Sequence, residues 1–281
     1  HCVAKGDIPD SEAGHICYCH TPMRYVWDMY DSYFGKGKLK WTANWIIPPV
    51  ASYLRMWDTA TSHRVDWFVA NSDHVRKRIN RYYGREADVI YPPVNTAGTF
   101  LSEKDDGYFL IVSAFAPYKR VDLAIQAFNE LGERLVVVGT GQDEKRLKKI
   151  ARTNIEFVGW MDSDKLQGYY AGCCALIFPG EEDFGIVPVE AQCFGKPVLA
   201  YGVGGVLETV NGIHLDEDSG NNAGAHTGIF FRTQEIEQIK DTVKKYRSLE
   251  FDGEMIRKHA LRFDIKHFKK KYKDMVMRSV R

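Results

Sequence analysis

Two Rossmann-like α/β units, each on a mostly parallel sheet and the first short of strands, are what the residue pattern calls for. From residue 107 onward, apolar runs of roughly five to eight residues alternate with amphipathic stretches about every 20 to 25 residues, the rhythm of stacked strand–helix units. Tyr91-Pro92-Pro93-Val94 closes an apolar run with two prolines, which fix an extended backbone and halt further pairing, as a domain boundary requires. At 281 residues there is room for two cores.

In the second unit, residues 107–115, 134–139, 154–159, 173–179 and 197–201 are expected as strands, because each is a short apolar run closed by Gly, Pro or a polar residue. Helices are expected over 120–131, 142–151, 162–171, 184–194 and 204–210, and a strand over 228–231. Three helices, over 233–249, 252–262 and 264–279, close the chain. The first part is less regular, with strands expected over 14–20, 66–71 and 88–91 and a helix over 73–83. About three strands are too few for a doubly wound sheet covered on both faces. Either the chain is a piece of a longer protein, or a second chain completes that sheet. The expected boundaries are 1–95 for the first unit and 96–263 for the second, with 264–281 packing back toward the first.

A net charge of +1 argues against nucleic acid as a partner, so any anion site has to be local. Six cysteines (Cys2, Cys17, Cys19, Cys173, Cys174, Cys193) lie in apolar surroundings without a disulfide framework, and are read as buried thiols of a reducing, cytoplasmic compartment. Cys17-x-Cys19-His20 resembles a metal cluster, but alternate residues of a strand share one face without converging on an ion, which favours packing. No run approaches the ~18 apolar residues of a membrane span.

Three stretches carry chemistry. In the first, 178–191, a buried strand runs into the acidic loop Glu181-Glu182-Asp183, then Phe184-Gly185-Ile186 and an apolar helix bearing Glu190. A carboxylate on a buried helix is costly unless something donates to it: a neighbouring backbone amide, or a ligand hydroxyl such as a ribose. In the second, Ser113-Ala114-Phe115-Ala116-Pro117-Tyr118-Lys119-Arg120 places two cations at the positive end of a helix. A diphosphate there would compensate what the helix dipole opposes; pairing with Asp122 in solvent is the plainer alternative. In the third, Val138-Gly139-Thr140-Gly141 sets glycines between strand and helix, permitting close backbone approach to a ligand. It is half a dinucleotide fingerprint, without the third glycine or the following acidic residue.

Together, Glu182-x7-Glu190, residues 116–124, Val138-Gly139-x-Gly141, and Val69-Ala70-Asn71-Ser72 followed by Val89-Ile90-Tyr91-Pro92-Pro93-Val94 resemble the family 4 retaining glycosyltransferases of GT-B fold. Cys-His-Thr-Pro-Met-Arg-Tyr at 19–25 is most similar to bacterial mannosyltransferases of O-antigen and related surface polysaccharides. The resemblance implies a hexose transfer, from GDP-mannose, to a glycan or lipid-linked acceptor with retained anomeric configuration and no metal or other cofactor. It assigns the donor ribose to Glu190, the transferred hexose to Glu182 with the amides around Phe184, Gly185 and Ile186, and the diphosphate to Lys119. Ser113, Arg120, Gly139 and Gly141 complete the implied donor side; His20 is implied at the transferred sugar, with Arg24 and Tyr25 on the acceptor side. Two departures stand out. The family's arginine ahead of the lysine is replaced by Ala114, leaving Arg120 to supply the charge, and the family's N-terminal glycine-rich loop has no counterpart.

Asp162-Ser163-Asp164 is read as a helix N-cap rather than a metal motif, and 216–220 as a solvated loop. The region 27–57 is rich in aromatics and holds Lys36, Lys38, Lys40 and Arg55. Two expectations are open for it: core packing, or contact with the inner face of a membrane carrying a lipid-linked acceptor. Lys269-Lys270-Lys271 invites the same choice between solvent and anionic lipid.

Overall fold

A computed structural model describes residues 3–35, 43–217 and 223–279 of the chain. Two compact units emerge: one runs through Pro92 and resumes from Phe268, and the other spans Pro93–His267.

The first unit holds β1 (Ile16–Cys19), α1 (Tyr30–Phe34), α2 (Ala43–Ser62), β2 (Trp67–Ala70), α3 (Asp73–Tyr83) and β3 (Ala87–Val89). The strands pair in parallel in the order β1-β2-β3. Their alternation sorts the side chains cleanly. Cys17, Cys19, Phe68 and Ala70 face Val75, Ile79 and Tyr83 of α3, while Ile16, Tyr18 and Val69 face Phe268, Tyr272 and Met275 of the C-terminal helix. The thiols of Cys17 and Cys19 are thus packing groups. Ser72 caps α3 by accepting from the Val75 amide, and Gly84, in the left-handed region, ends it.

The expected elements include no helix over 43–62, yet α2 runs there and through both Pro48 and Pro49. What holds it is its far end. Asp58 is fully buried, with the Lys5 ammonium at 2.9 Å and hydrogen bonds from Trp27 Nε1 (2.8 Å) and the Tyr83 hydroxyl (2.9 Å). With Asp58 Oδ2 accepting from both Trp27 and Tyr83 and Oδ1 facing the ammonium, this buried pair fixes the helix in one position, and losing either member would cost about 3–5 kcal/mol.

The second unit contains β4 (Phe109–Val112), α4 (Val121–Leu131), β5 (Leu135–Val138), α5 (Glu144–Ile150), β6 (Ile155–Gly159), α6 (Ser163–Gly172), β7 (Leu176–Phe178), α7 (Ile186–Cys193), β8 (Val198–Tyr201), α8 (Val206–Thr209), β9 (Gly212–His214), β10 (Gly228–Phe231), α9 (Ile236–Arg247) and α10 (Gly253–Leu261). Helix α11 (Ile265–Ser279) follows. The strands form one parallel sheet in the order β6-β5-β4-β7-β8-β10-β9. Helices α4, α5 and α9 cover one face, and α7, backed by α10, the other. Burial from both sides explains why Leu135–Val138 is apolar without alternation. Strand β9 escapes a sequence reading because Gly212-Ile213-His214 is short and half polar.

On α10 the His259 imidazole lies 3.2 Å from the Thr209 carbonyl, and burial, reinforced by the nearby Arg262 cation, pushes its pKa from 6.5 to about 4. Between those values the unfolded chain binds the proton and the folded one does not, so this contribution to stability is complete above the ordinary value and is lost as pH falls toward 4. His259→Gln is therefore expected to flatten the acid-side fall of the melting temperature. An identical fall in variant and wild type would contradict this.

Candidate donor site

The strand order places a switch point in the second unit. From β4 the chain moves outward to β5 and β6, then returns to β7 on the other side of β4 and proceeds to β8. Loops leaving the carboxyl ends of β4 and β7 therefore flank the point at which sheets of this type bind ligands. Residues 113–120 leave β4 and residues 179–185 leave β7.

Across this switch point the Lys119 ammonium contacts the Glu182 carboxylate, each side chain about four-fifths buried (19% and 18% exposed). Glycines make the approach possible. A Cβ on Gly180 would lie 3.0 Å from the Lys119 Cα and carbonyl oxygen, so the backbone after β7 lies directly against the β4 loop. From the other side, Gly204 and Gly205 hold the acidic loop: the Gly205 amide donates to the Glu182 carbonyl at 2.8 Å, and a Cβ on Gly205 would fall 2.3 Å from the Asp183 carbonyl oxygen. Sequence reasoning missed this pair. The signal was present in Gly202-x-Gly204-Gly205, which lies between β8 and α8 as Gly139-x-Gly141 lies between β5 and α5.

Glu190, half-buried on α7, accepts a hydrogen bond from the Tyr170 hydroxyl of α6 at 2.7 Å. Burial pushes its carboxyl above the usual range and the tyrosine bond opposes that shift. Tyr170 is itself held by stacking on Phe194, ring centroids 5.9 Å apart. The donor to Glu190 is thus a side chain from another helix, where the sequence suggested a backbone amide or a ligand. Phe184 is buried against Phe263, Gly185 begins α7 at φ 90°, and Ile186 is exposed.

Gly139, Gly141 and Arg120, implied on the donor side, each have neighbours within the chain itself. Gly139 and Gly141 do make room for a close approach, but what approaches is the chain's own backbone: Cβ atoms there would lie 1.9 Å from the Ser113 carbonyl oxygen and 2.6 Å from that of Phe115. The Ser113 and Phe115 amides donate to the Val138 and Thr140 carbonyls, fastening the β4 loop beside β5. Arg120, for its part, is not an uncommitted cation. Its Nε lies 3.5 Å from Asp122 and its Nη1 donates to Gln234 at 3.4 Å, from a left-handed backbone (φ 52°) that is unique for a non-glycine among the described residues. Asp162 accepts from the Lys165 amide as the N-cap of α6.

Residues 98–262 match the family model described as glycosyl transferases group 1. The chain belongs to that family. Among its relatives, an uncharacterized glycosyltransferase of Methanocaldococcus jannaschii is 30% identical over 166 residues, covering 56% of this chain and 47% of the relative. The alpha-1,3/1,6-mannosyltransferase ALG2 of Candida glabrata is 24% identical over 266 residues, covering 74% of this chain and 55% of its own length. The chain thus spans about half the length of these relatives. Among solved structures, Anabaena Alr3699/HepE in complex with UDP and glucose superposes with a TM-score of 0.70 at 17% identity, covering 94% of this chain and 71% of HepE. That likeness is one of fold, and the fold of this group 1 member is of GT-B type.

In the first unit, exposed His20 follows β1, its ring edge-on to Tyr18 at 5.2 Å. Arg24 is half-buried, and Tyr25, 54% exposed, packs edge-on against Tyr33 at 4.9 Å. Of the six cysteines, Cys2 lies outside the described residues; the other five are free thiols, four of them buried. Part of the 216–220 loop lies outside them too, as do Lys36, Lys38 and Lys40, and Asp216 pairs with Arg232 at 3.2 Å. No described helix is long and apolar enough to cross a membrane.

Proposed function

We propose that this group 1 glycosyl transferase chain carries the donor-binding machinery of a retaining hexosyltransferase that uses a nucleotide-sugar, GDP-mannose first among the candidates, and passes the hexose to a glycan or lipid-linked acceptor. The observation that carries this reading is the meeting of Lys119 and Glu182 across the β4/β7 switch point. An anionic diphosphate entering there would compete for the lysine. That exchange frees Glu182 to accept hydroxyls of the sugar, while Lys119 stabilises charge developing on the leaving group. Glu190 would take the ribose, with Tyr170 orienting it. In this reading protein groups meet the diphosphate charge, so chelators leave the rate unchanged.

Mannose is favoured because relatives include mannosyltransferases of the ALG2 type, and the 19–25 segment resembles surface-polysaccharide mannosyltransferases. Several structural neighbours carry UDP or UDP-glucose, so the base has to be tested directly. Calorimetry with GDP-mannose, UDP-glucose and UDP-N-acetylglucosamine should give one clear binder. Binding of none of them would reject the reading. His20, assigned to the transfer step by resemblance, should be dispensable for donor affinity but not for turnover; His20→Ala with normal turnover would remove that role.

One feature supports a second reading. Ala114 stands where the resemblance expects an arginine, and Arg120 is engaged with Asp122 and Gln234. A donor-binding partner subunit without activity of its own would bind the nucleotide-sugar yet transfer only when a companion chain is added. An epimerase on the same scaffold would instead turn over the donor with no acceptor present.

A further inference from the structure

The amino ends of the second unit's strands, opposite the donor loops, carry a cavity of their own. Residues 101–105, 173–174 and 195–197, which lead into β4, β7 and β8, meet there with the end of α9 and the turn into α10, and together they enclose about 490 Å³. Lys196 lines this cavity and is only 6% exposed. Its ammonium donates to the Lys104 carbonyl at 2.5 Å, and among the described residues no carboxylate forms an ion pair with it. One of three N–H groups is thus accounted for. Lysines are rarely buried without a counter-charge, and burial pushes this one below its ordinary pKa.

Asp105 lines the same cavity, held by other partners. Its Oδ1 accepts from the Gly107 amide at 2.8 Å and from the Cys174 thiol at 3.0 Å, while Oδ2 has no donor among the described residues. A cation and a carboxylate therefore share one cavity, each tethered separately and not joined to each other. Such an open pair fits a ligand that carries both charges. The rim argues against a simple anion: Glu103, Asp252 and Glu254 are exposed there beside Asp105, and Lys104 is already paired with Asp106 at 2.8 Å. A simple cation, in turn, would leave Lys196 uncompensated. The remaining wall is aromatic. Tyr246 and Phe251 stack with ring centroids 6.0 Å apart, and the Tyr246 hydroxyl is fixed by donating to the Cys174 carbonyl at 3.0 Å.

We propose that this cavity is a second small-molecule site, for an aromatic α-amino acid whose carboxylate meets Lys196, whose ammonium meets Asp105 and whose ring lies against Tyr246 and Phe251. A few convergent polar groups beside an apolar wall are what a site for so small a ligand requires. The donor loops leave the carboxyl ends of the same strands, so the amino acid binds beside a nucleotide-sugar and not in its place. No residue of the donor site enters this inference, so it fails or survives independently of the function proposed above.

The test is calorimetry with L-phenylalanine, with hydrocinnamate, which lacks the ammonium, with phenethylamine, which lacks the carboxylate, and with inorganic phosphate. Phenylalanine is expected to bind, and each of the other three to bind more than about tenfold more weakly, the loss that follows from one missing charged hydrogen bond. Lys196→Met is expected to abolish binding. Should that variant fold poorly, Asp105→Asn, a change at an exposed side chain, is expected to erase the advantage of phenylalanine over hydrocinnamate at an unchanged melting temperature, a split that a purely structural aspartate would not produce. Wild type that does not bind phenylalanine at about 10 mM, a concentration that reveals even millimolar affinity, overturns the proposal. So does an analogue or phosphate that binds as tightly as phenylalanine, or a folded Asp105→Asn that keeps the full preference. Displacement of bound phenylalanine by GDP-mannose or UDP-glucose would also overturn it, since the amino acid would then occupy the donor site.

Discussion

Under the proposed function, Lys119→Ala is expected to lower sugar transfer by about two to three orders of magnitude, the loss typical when a preorganised charge at a developing anion is removed. The lysine is the cation that meets Glu182 across the switch point, whereas Arg120 is committed to Asp122 and Gln234. Folding should suffer less, because truncating the lysine side chain leaves space for water beside the Glu182 carboxylate. Lys119→Arg should recover part of the rate. The pairing adds a sharper expectation: in donor-free protein, losses of stability in Lys119→Ala and Glu182→Gln should be less than additive, since either change breaks the same contact. A Lys119→Ala enzyme with full turnover and a lowered melting temperature would show that the lysine is there for folding alone.

Glu190→Gln should separate binding from stability. If the carboxylate accepts a ribose hydroxyl, its loss weakens nucleotide-sugar binding by more than about tenfold, as expected for a hydrogen bond to a charged group. Stability should move the other way. Burial raises the Glu190 pKa, so in the interval above the ordinary carboxylate value the folded protein holds more protons than the unfolded chain, and stability falls as pH rises through it. Glutamine removes that penalty, and the melting temperature at neutral pH should hold or rise. Donor affinity of the wild type should increase with pH across the same interval, as the acceptor carboxylate forms. Tyr170→Phe should move that pH profile upward, because the tyrosine hydrogen bond favours the ionised form. Unchanged affinity in Glu190→Gln would exclude the ribose role.

The elements of the second unit were legible where a local rule dominates. Strand β5 is unbroken Leu135-Val136-Val137-Val138, α4 repeats its apolar residues at helical spacing, and each ends at a glycine or proline within a residue or two of the expected place. Legibility failed where local signals conflict. Helix α2 carries two internal prolines and is fixed by Asp58 through partners distant in sequence, which no local periodicity can announce. The acidic loop was found as a loop, but the Gly204-Gly205 backbone that holds it was not, since nothing short of the fold places β8 next to β7.

From the sequence by itself came the α/β class, the parallel strands and the residue types able to meet a diphosphate and a sugar, because these depend on periodicity, charge and backbone chemistry within a few residues. Only the tertiary structure decided which of them meet. Lys119 contacts Glu182 because β4 lies beside β7, and strand order follows from the burial of whole elements against one another rather than from any residue's neighbours in the chain. The same global burial turned Gly139 and Gly141 toward the chain's own backbone, engaged Arg120 internally, and left one side of α2 facing out.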